Sequence, residues 1–128
     1  MAAGTAAILA PVAAPALTPE LALDYLGELS TDIRASVLLA ADGSLASSSP
    51  AGADGGRLRE LTLELLERAD AADDGDVSQV EVSTGDGAVY VAREPDWTLA
   101  VVAGRFALPS LMFYDLRSVI AALGKKSG

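Results

Sequence analysis

The 128-residue chain contains no histidine and no cysteine. Without cysteine there is no disulfide, no thiol nucleophile and no thiolate metal site, which fits a reducing cytoplasm. Without histidine the commonest general base and the commonest zinc ligand are both missing. Positive charge is scarce as well: nine Lys and Arg against 18 Asp and Glu leave a formal charge of −9. No basic stripe is present to neutralise phosphates, which argues against nucleic acid as a partner. An anionic membrane surface is disfavoured for the same reason.

The glycine-rich stretches do not supply what is missing. Gly52-Ala53-Asp54-Gly55-Gly56 precedes a helix but lacks the Lys-Ser/Thr of a P-loop, and no long buried strand leads into it. Gly124-Lys125-Lys126-Ser127 mimics part of that motif with no helix to follow. Asp73, Asp74 and Asp76 flank Gly75 without the spacing or closing Glu of a calcium loop, and read as a solvated helix stop. Glu60 and Glu64 lie one turn apart on an open helix face, where nothing drives their pKa values apart for acid–base work. No catalytic residue, cofactor-binding residue or metal ligand is assigned, and the chain is read as non-enzymatic.

What is present is the pattern of one α+β domain. Residues 1–18 carry no charge and are mostly Ala, Pro, Val and Leu. Ala14-Pro15-Ala16 has the small-x-small form of a signal cleavage site, but the basic leader is missing and Pro11 interrupts the apolar run. The stretch is too broken by proline to span a bilayer, and is expected to be a flexible tail. The domain proper covers 19–124, and 125–128 form a short C-terminal tail.

Thr18-Pro19-Glu20 opens a first helix with a cap, a proline suited to the first turn, and an acid at the positive end of the dipole. Its expected buried stripe is Ala22, Tyr25, Leu26 and Leu29. Ile33 to Ala40 reads as a strand, and Asp42-Gly43 as a tight hairpin turn into a short strand at Leu45-Ala46. After the loop beginning at Ser47, Arg57 to Ala72 is the clearest helix, with Leu58, Leu61, Leu65 and Ala69 on one face. A meander follows. Val77 to Val82 alternates, Ala88 to Arg93 comes after Gly85-Asp86-Gly87, and Trp97 to Ala103 is apolar on both faces from Leu99 onward. A continuous apolar strand is normally central. Pro109 opens a last helix with Leu108, Met112, Leu116, Val119 and Leu123 as its core stripe, closed by Gly124.

The opening helix, the run Ala35-Ser36-Val37-Leu38-Leu39 into Ala41-Asp42-Gly43-Ser44-Leu45, the long helix Leu58 to Ala72, the strand Trp97 to Val102 and the final helix Leu111 to Leu123 together resemble the Roadblock, or dynein light chain, family and its bacterial MglB-like members. The resemblance covers about Pro19 to Leu123 and rests on element order, since the family has no invariant catalytic motif. It implies a profilin-like five-stranded antiparallel sheet, with the long helix on one face and the two terminal helices on the other. It also implies a homodimer in which the long helices lie side by side and the strand after each pairs with its twin. Further, it implies a Ras-like small GTPase as partner, whose cycle or localisation the dimer regulates.

The residues themselves carry part of this. A lone strand Val77 to Val82 beside the long helix would be an edge, which proteins usually cover or pair. Leu63 and Leu66 fall off the expected core stripe and gain a reason if a second helix sits there. Leu63, Leu66, Arg59, Val80 and Val82 are therefore the candidate dimer interface. Arg57, Glu60, Glu64, Glu67 and Arg68 are the candidate GTPase-binding residues. Two other readings stay open: a small-molecule sensor of profilin- or PAS-like shape with Trp97 lining a pocket, and a structural subunit assembling through sheet edges. Tyr114, off the core stripe near Arg117, is either an interface residue or packs on the first helix.

Overall fold

A computed structural model of the chain describes residues 17–30, 32–50, 54–73 and 77–123. The elements are α1 (Pro19–Leu29), β1 (Ile33–Ala40), β2 (Leu45–Ser49), α2 (Asp54–Asp73), β3 (Gln79–Ser83), β4 (Gly87–Arg93), β5 (Trp97–Gly104) and α3 (Pro109–Ala122). The five strands form one antiparallel sheet in the order β2-β1-β5-β4-β3. Among the described residues no helix is long and apolar enough to cross a membrane.

β5 takes the centre because its side chains are apolar on both faces. Leu99, Val101 and Ala103 point to one face, where they pack with Leu23 and Leu26 of α1 and Met112, Leu116 and Val119 of α3. Ala100 points to the other, with Val37 and Leu39 of β1, Val89 and Val91 of β4, and Leu58 and Leu66 of α2. The long helix thus covers one face and the terminal helices the other, in agreement with the sequence pattern and the family resemblance.

Local chemistry sets the element ends. Thr18 Oγ1 accepts a hydrogen bond from Leu21 N at 3.3 Å, and Pro19 occupies the first turn, where no N–H is needed. In the β1–β2 turn, Gly43 takes φ 88°, and Asp42 Oδ1 accepts from Ser44 N at 2.9 Å and from Ser44 Oγ at 2.7 Å. β2 runs to Ser49, longer than the expected Leu45-Ala46, because pairing with β1 continues through Ser47, Ser48 and Ser49.

The expected core stripes of the first two helices are rotated, while that of α3 holds at Met112, Leu116, Val119 and Leu123. In α1 the buried residues are Ala22, Leu23 and Leu26, while Tyr25 and Leu29 are exposed. In α2 they are Gly55, Leu58, Thr62 and Leu66; Leu61 is exposed, and Leu65 and Ala69 are half-buried. Thr62 goes inside because its hydroxyl donates to Leu58 O at 2.7 Å, which removes the cost of burying it. Gly55 goes inside because a Cβ there would collide with Ser48 of β2. Counting apolar residues could find neither. In α3 Leu108 is the exposed N-cap, and Ile120 and Asp115 join the buried side.

α3 ends at Ala122 with Leu123, not Gly124, as its C-cap, and Leu123 pairs with Leu17 in a parallel bridge. Leu17 N donates to Ala122 O at 3.0 Å, so the two residues before Pro19 are held in the fold. Residues 1–16, 74–76 and 124–128 lie outside the described residues, and with them the tail readings, most of the Asp73–Asp76 stop and the C-terminal Gly-Lys-Lys.

One ion pair ties the α2 layer to the sheet. Arg93 Nη2 and Nη1 donate to Asp70 Oδ1 and Oδ2 at 2.6 and 3.1 Å, Arg93 Nε donates to Val77 O at 3.0 Å, and Val77 N donates to Asp70 Oδ1 at 2.8 Å. The Arg93 hydrogen bonds and the Val77 N–H hold the Asp70 carboxyl below its ordinary value. A depressed carboxyl stabilises the fold fully above its unfolded-state value, about 3.9, and loses that contribution as pH falls through its folded value. Asp70→Asn is therefore expected to lower the urea midpoint at pH 7, with the gap to the parent narrowing at pH 3. An equal gap at both pH values rejects this role.

Candidate interaction surface

α2 presents one face to the sheet and the opposite face outward. Along the outward face run Arg57, Glu60, Leu61, Glu64, Glu67 and Arg68, all exposed. The five candidate GTPase-binding residues thus share one solvent-facing surface. Arg68 Nη2 bonds Glu64 Oε2 at 2.8 Å, an exposed i,i+4 pair that orients two side chains but adds little stability. Leu61, 40% exposed, lies at the margin of this face, next to half-buried Leu65. Helical periodicity alone assigns it to the core; the signal that could have moved it outward is its place one residue before Thr62, the residue whose hydroxyl satisfies itself.

The candidate dimer residues separate into two groups. Val82 is exposed and Val80 half-buried, both on the α2 side of β3, opposite Val89 and Val91 of β4. β3 ends the strand order, so one side of its ladder faces away from the sheet. Leu66, by contrast, is 5% exposed and belongs to the protomer's own core; it offers a partner almost nothing, because the helix is rotated from the expected stripe. Leu63 is half-buried and packs against the same core, with its methyls beside the Gly43 turn. Arg59 is half-buried too, its Nε donating to Gly43 O at 2.6 Å. Leu63 and Arg59 therefore brace the β1–β2 turn against α2.

Arg117, on α3, reaches the same sheet edge from the opposite layer. Its Nη2 and Nε donate to Gln79 Oε1 at 2.7 and 2.9 Å, and its Nη1 donates to Glu94 Oε2 at 2.8 Å. Trp97 is half-buried and Tyr90 buried, edge-on to Phe113 at a centroid distance of 5.4 Å. Burial, with the nearby Glu81 carboxylate, pushes the Tyr90 hydroxyl above its ordinary value. An open cleft of about 500 Å³ lies between the β4–β5 turn and α3, lined by Glu94, Pro95, Trp97, Arg117 and Ile120. It lies at the surface. Tyr114 is exposed on α3. Among the described residues no three potential metal ligands gather.

This arrangement, one long helix over an antiparallel five-stranded sheet and two terminal helices beneath it, is the Roadblock/LC7 fold. A Roadblock/LC7 domain from Streptomyces avermitilis is similar at TM-score 0.72 and 24% identity, over 82% of this chain and 93% of that one. The gliding protein MglB of Thermus thermophilus is similar at TM-score 0.69 and 13% identity, over 82% and 84%. An MglB in a tetrameric arrangement is similar at TM-score 0.63 and 14% identity, over 86% and 93%. No protein-family model matches the sequence, and no curated protein does.

The burial difference along α2 has a direct readout. Leu66→Ala is expected to cost about 2–5 kcal/mol in urea unfolding, because it opens a cavity beneath the helix. Leu61→Ala is expected to stay within about 0.5 kcal/mol of the parent, as for an exposed site. Equal losses at both positions contradict the orientation of α2 described above.

Proposed function

We propose that the chain is a non-enzymatic homodimeric scaffold that binds a Ras-like small GTPase and modulates its cycle or localisation. The observations that carry this reading are the open outer side of β3, with Val82 exposed, and the charged outward face of α2, with Leu61 exposed. An exposed apolar residue on the helix and another at a free sheet edge suit a self-complementary two-fold contact. In that contact the α2 helices lie side by side and the β3 strands join two sheets into one. Glu81 disfavours the register that sets it opposite its own twin, since like charges directly across a ladder repel. Pairing Val80 with its twin avoids this and places Gln79 across from Glu81.

The self-association recorded for an MglB of similar fold supports the dimer. The missing histidine and cysteine support a binding role over a catalytic one. The cysteine-free composition also suits a cytoplasmic setting. On the outward face of α2, Glu60, Glu64 and Glu67 outnumber Arg57 and Arg68, so the GTPase would meet this platform with a basic docking face. To regulate the switch, the scaffold must bind one nucleotide state more tightly than the other, because equal affinity shifts nothing.

Two measurements test this. Light scattering is expected to give twice the protomer mass, falling to the protomer mass in Val82→Lys and Leu61→Glu variants that keep their circular dichroism. A parent that is monomeric at every concentration removes the dimer. Titration with a Ras-like GTPase loaded with GDP or with a non-hydrolysable GTP analogue is expected to show at least tenfold preference for one state. Charge reversal at Glu60 and Glu64 is expected to weaken the preferred complex. Absence of binding in both states removes the partner.

A further inference from the structure

α1 and α3 carry more apolar surface than their side of the sheet uses. α1 buries Ala22, Leu23 and Leu26, yet Tyr25 and Leu29, one turn apart, stay exposed beside them. α3 buries Met112, Leu116 and Val119, yet Leu111 and Tyr114 are exposed at 55% and 69%. The turn between β5 and α3 adds Phe106 at 81% and Leu108 at 64%. Leu29, Phe106, Leu108 and Leu111 line one shallow groove of about 200 Å³. Isolated exposed leucines are ordinary; a contiguous group of this size on an acidic protein marks a surface that something covers.

The groove is rigidly presented. Asp32 adopts φ 67° and holds the β5–α3 turn: its Oδ2 accepts from Phe106 N at 2.9 Å and its carbonyl from Gly104 N at 2.8 Å. Gly104 is required there, since a Cβ would run into the Asp32 carboxylate. Phe106 is thus fixed by its backbone while its ring stands in solvent.

The occupant is constrained by charge and by the path of the chain. α1 borders the patch with Glu20, Asp24 and Glu28, all exposed. A second copy docked by a two-fold would bring two such acidic rims together. Residues 1–16 carry no charged side chain and include the aliphatic pair Ile8-Leu9. They join the fold at Leu17, which pairs in parallel with Leu123 at the end of α3. In a parallel pair both chains advance the same way. At Leu17 the chain thus runs in the same direction as the end of α3 at Leu123. The 14-residue α3 is about 21 Å long at ~1.5 Å per residue. At ~3.3 Å per residue of extended chain, six or seven residues cover that length. Leu9 and Ile8, eight and nine residues before Leu17, have about 26–30 Å of extended chain, enough to reach past the first turn of α3 to Leu111, Leu108 and Phe106.

We infer that the Ala/Pro-rich segment 1–16 of the same chain is the cover of this patch, running back along α3 and seating Ile8 and Leu9 in the groove between Leu29, Phe106 and Leu111. The proposal concerns the layer opposite the α2 surface and is independent of the GTPase reading.

Because the chain has no cysteine, introduced pairs are its only thiols. Full-length Ile8→Cys/Leu111→Cys is expected to form an intrachain disulfide under mild oxidation at least tenfold faster than Ile8→Cys/Glu64→Cys, whose second thiol lies on the opposite layer. Equal rates overturn the proposal, as does a disulfide that joins two chains, which would assign the groove to a second copy. In parallel, Ile8→Asp/Leu9→Asp is expected to raise binding of an apolar fluorescent dye severalfold with circular dichroism unchanged. Dye binding equal to the parent's means the groove was never covered by this segment.

Discussion

β5 has to be hidden from water on both faces, and most of the architecture answers that requirement. Leu99, Val101 and Ala103 alternate with Ala100 and Val102 along a single strand, so neither side can be left to solvent. A strand of this kind is stable only with a neighbour on each edge and a layer above and below. β1 and β4 supply the edges, and the helices supply the layers. The two layers are unequal. Two helices cover one face, whereas a single helix must cover the other, and α2 is accordingly the longest element of the described chain.

That inequality explains where free surface remains. α2 sits over β1 and β2, and its C-terminal end is tied to β4 and to the residue before β3 through Asp70, Arg93 and Val77. β3 is held at its start from both layers, by Arg93 on one side and by Arg117 on the other. Beyond that anchored start, Val82 is exposed and the outer side of the strand is open. A sheet edge with a fixed entry is a better template for pairing than a frayed one, since less ordering entropy remains to be lost.

Much of this was legible beforehand, for identifiable reasons. The β1–β2 turn follows from Asp42-Gly43, because few residues other than glycine accept φ 88° without strain. The start of α1 follows from Thr18-Pro19, and the central place of β5 from its two apolar faces. The rotation of α2 was not legible. It depends on a threonine that bonds its own helix backbone and on a glycine that lets the helix approach Ser48 of β2. The same rotation buries Leu66 beneath the helix and leaves Leu61 exposed. In α1 and α3, residues such as Tyr25, Leu29 and Leu108 have core-like chemistry at helical spacing, and hydropathy alone cannot say that the core is already full.

The amino-acid order by itself settled the number and type of elements, most of their ends, and the absence of histidine and cysteine chemistry. These depend on local rules: backbone preferences, caps, turn residues and periodicity. Only the tertiary structure decided which apolar residues are buried and which are left outside. That choice depends on the space between layers, a quantity set jointly by residues far apart in the chain.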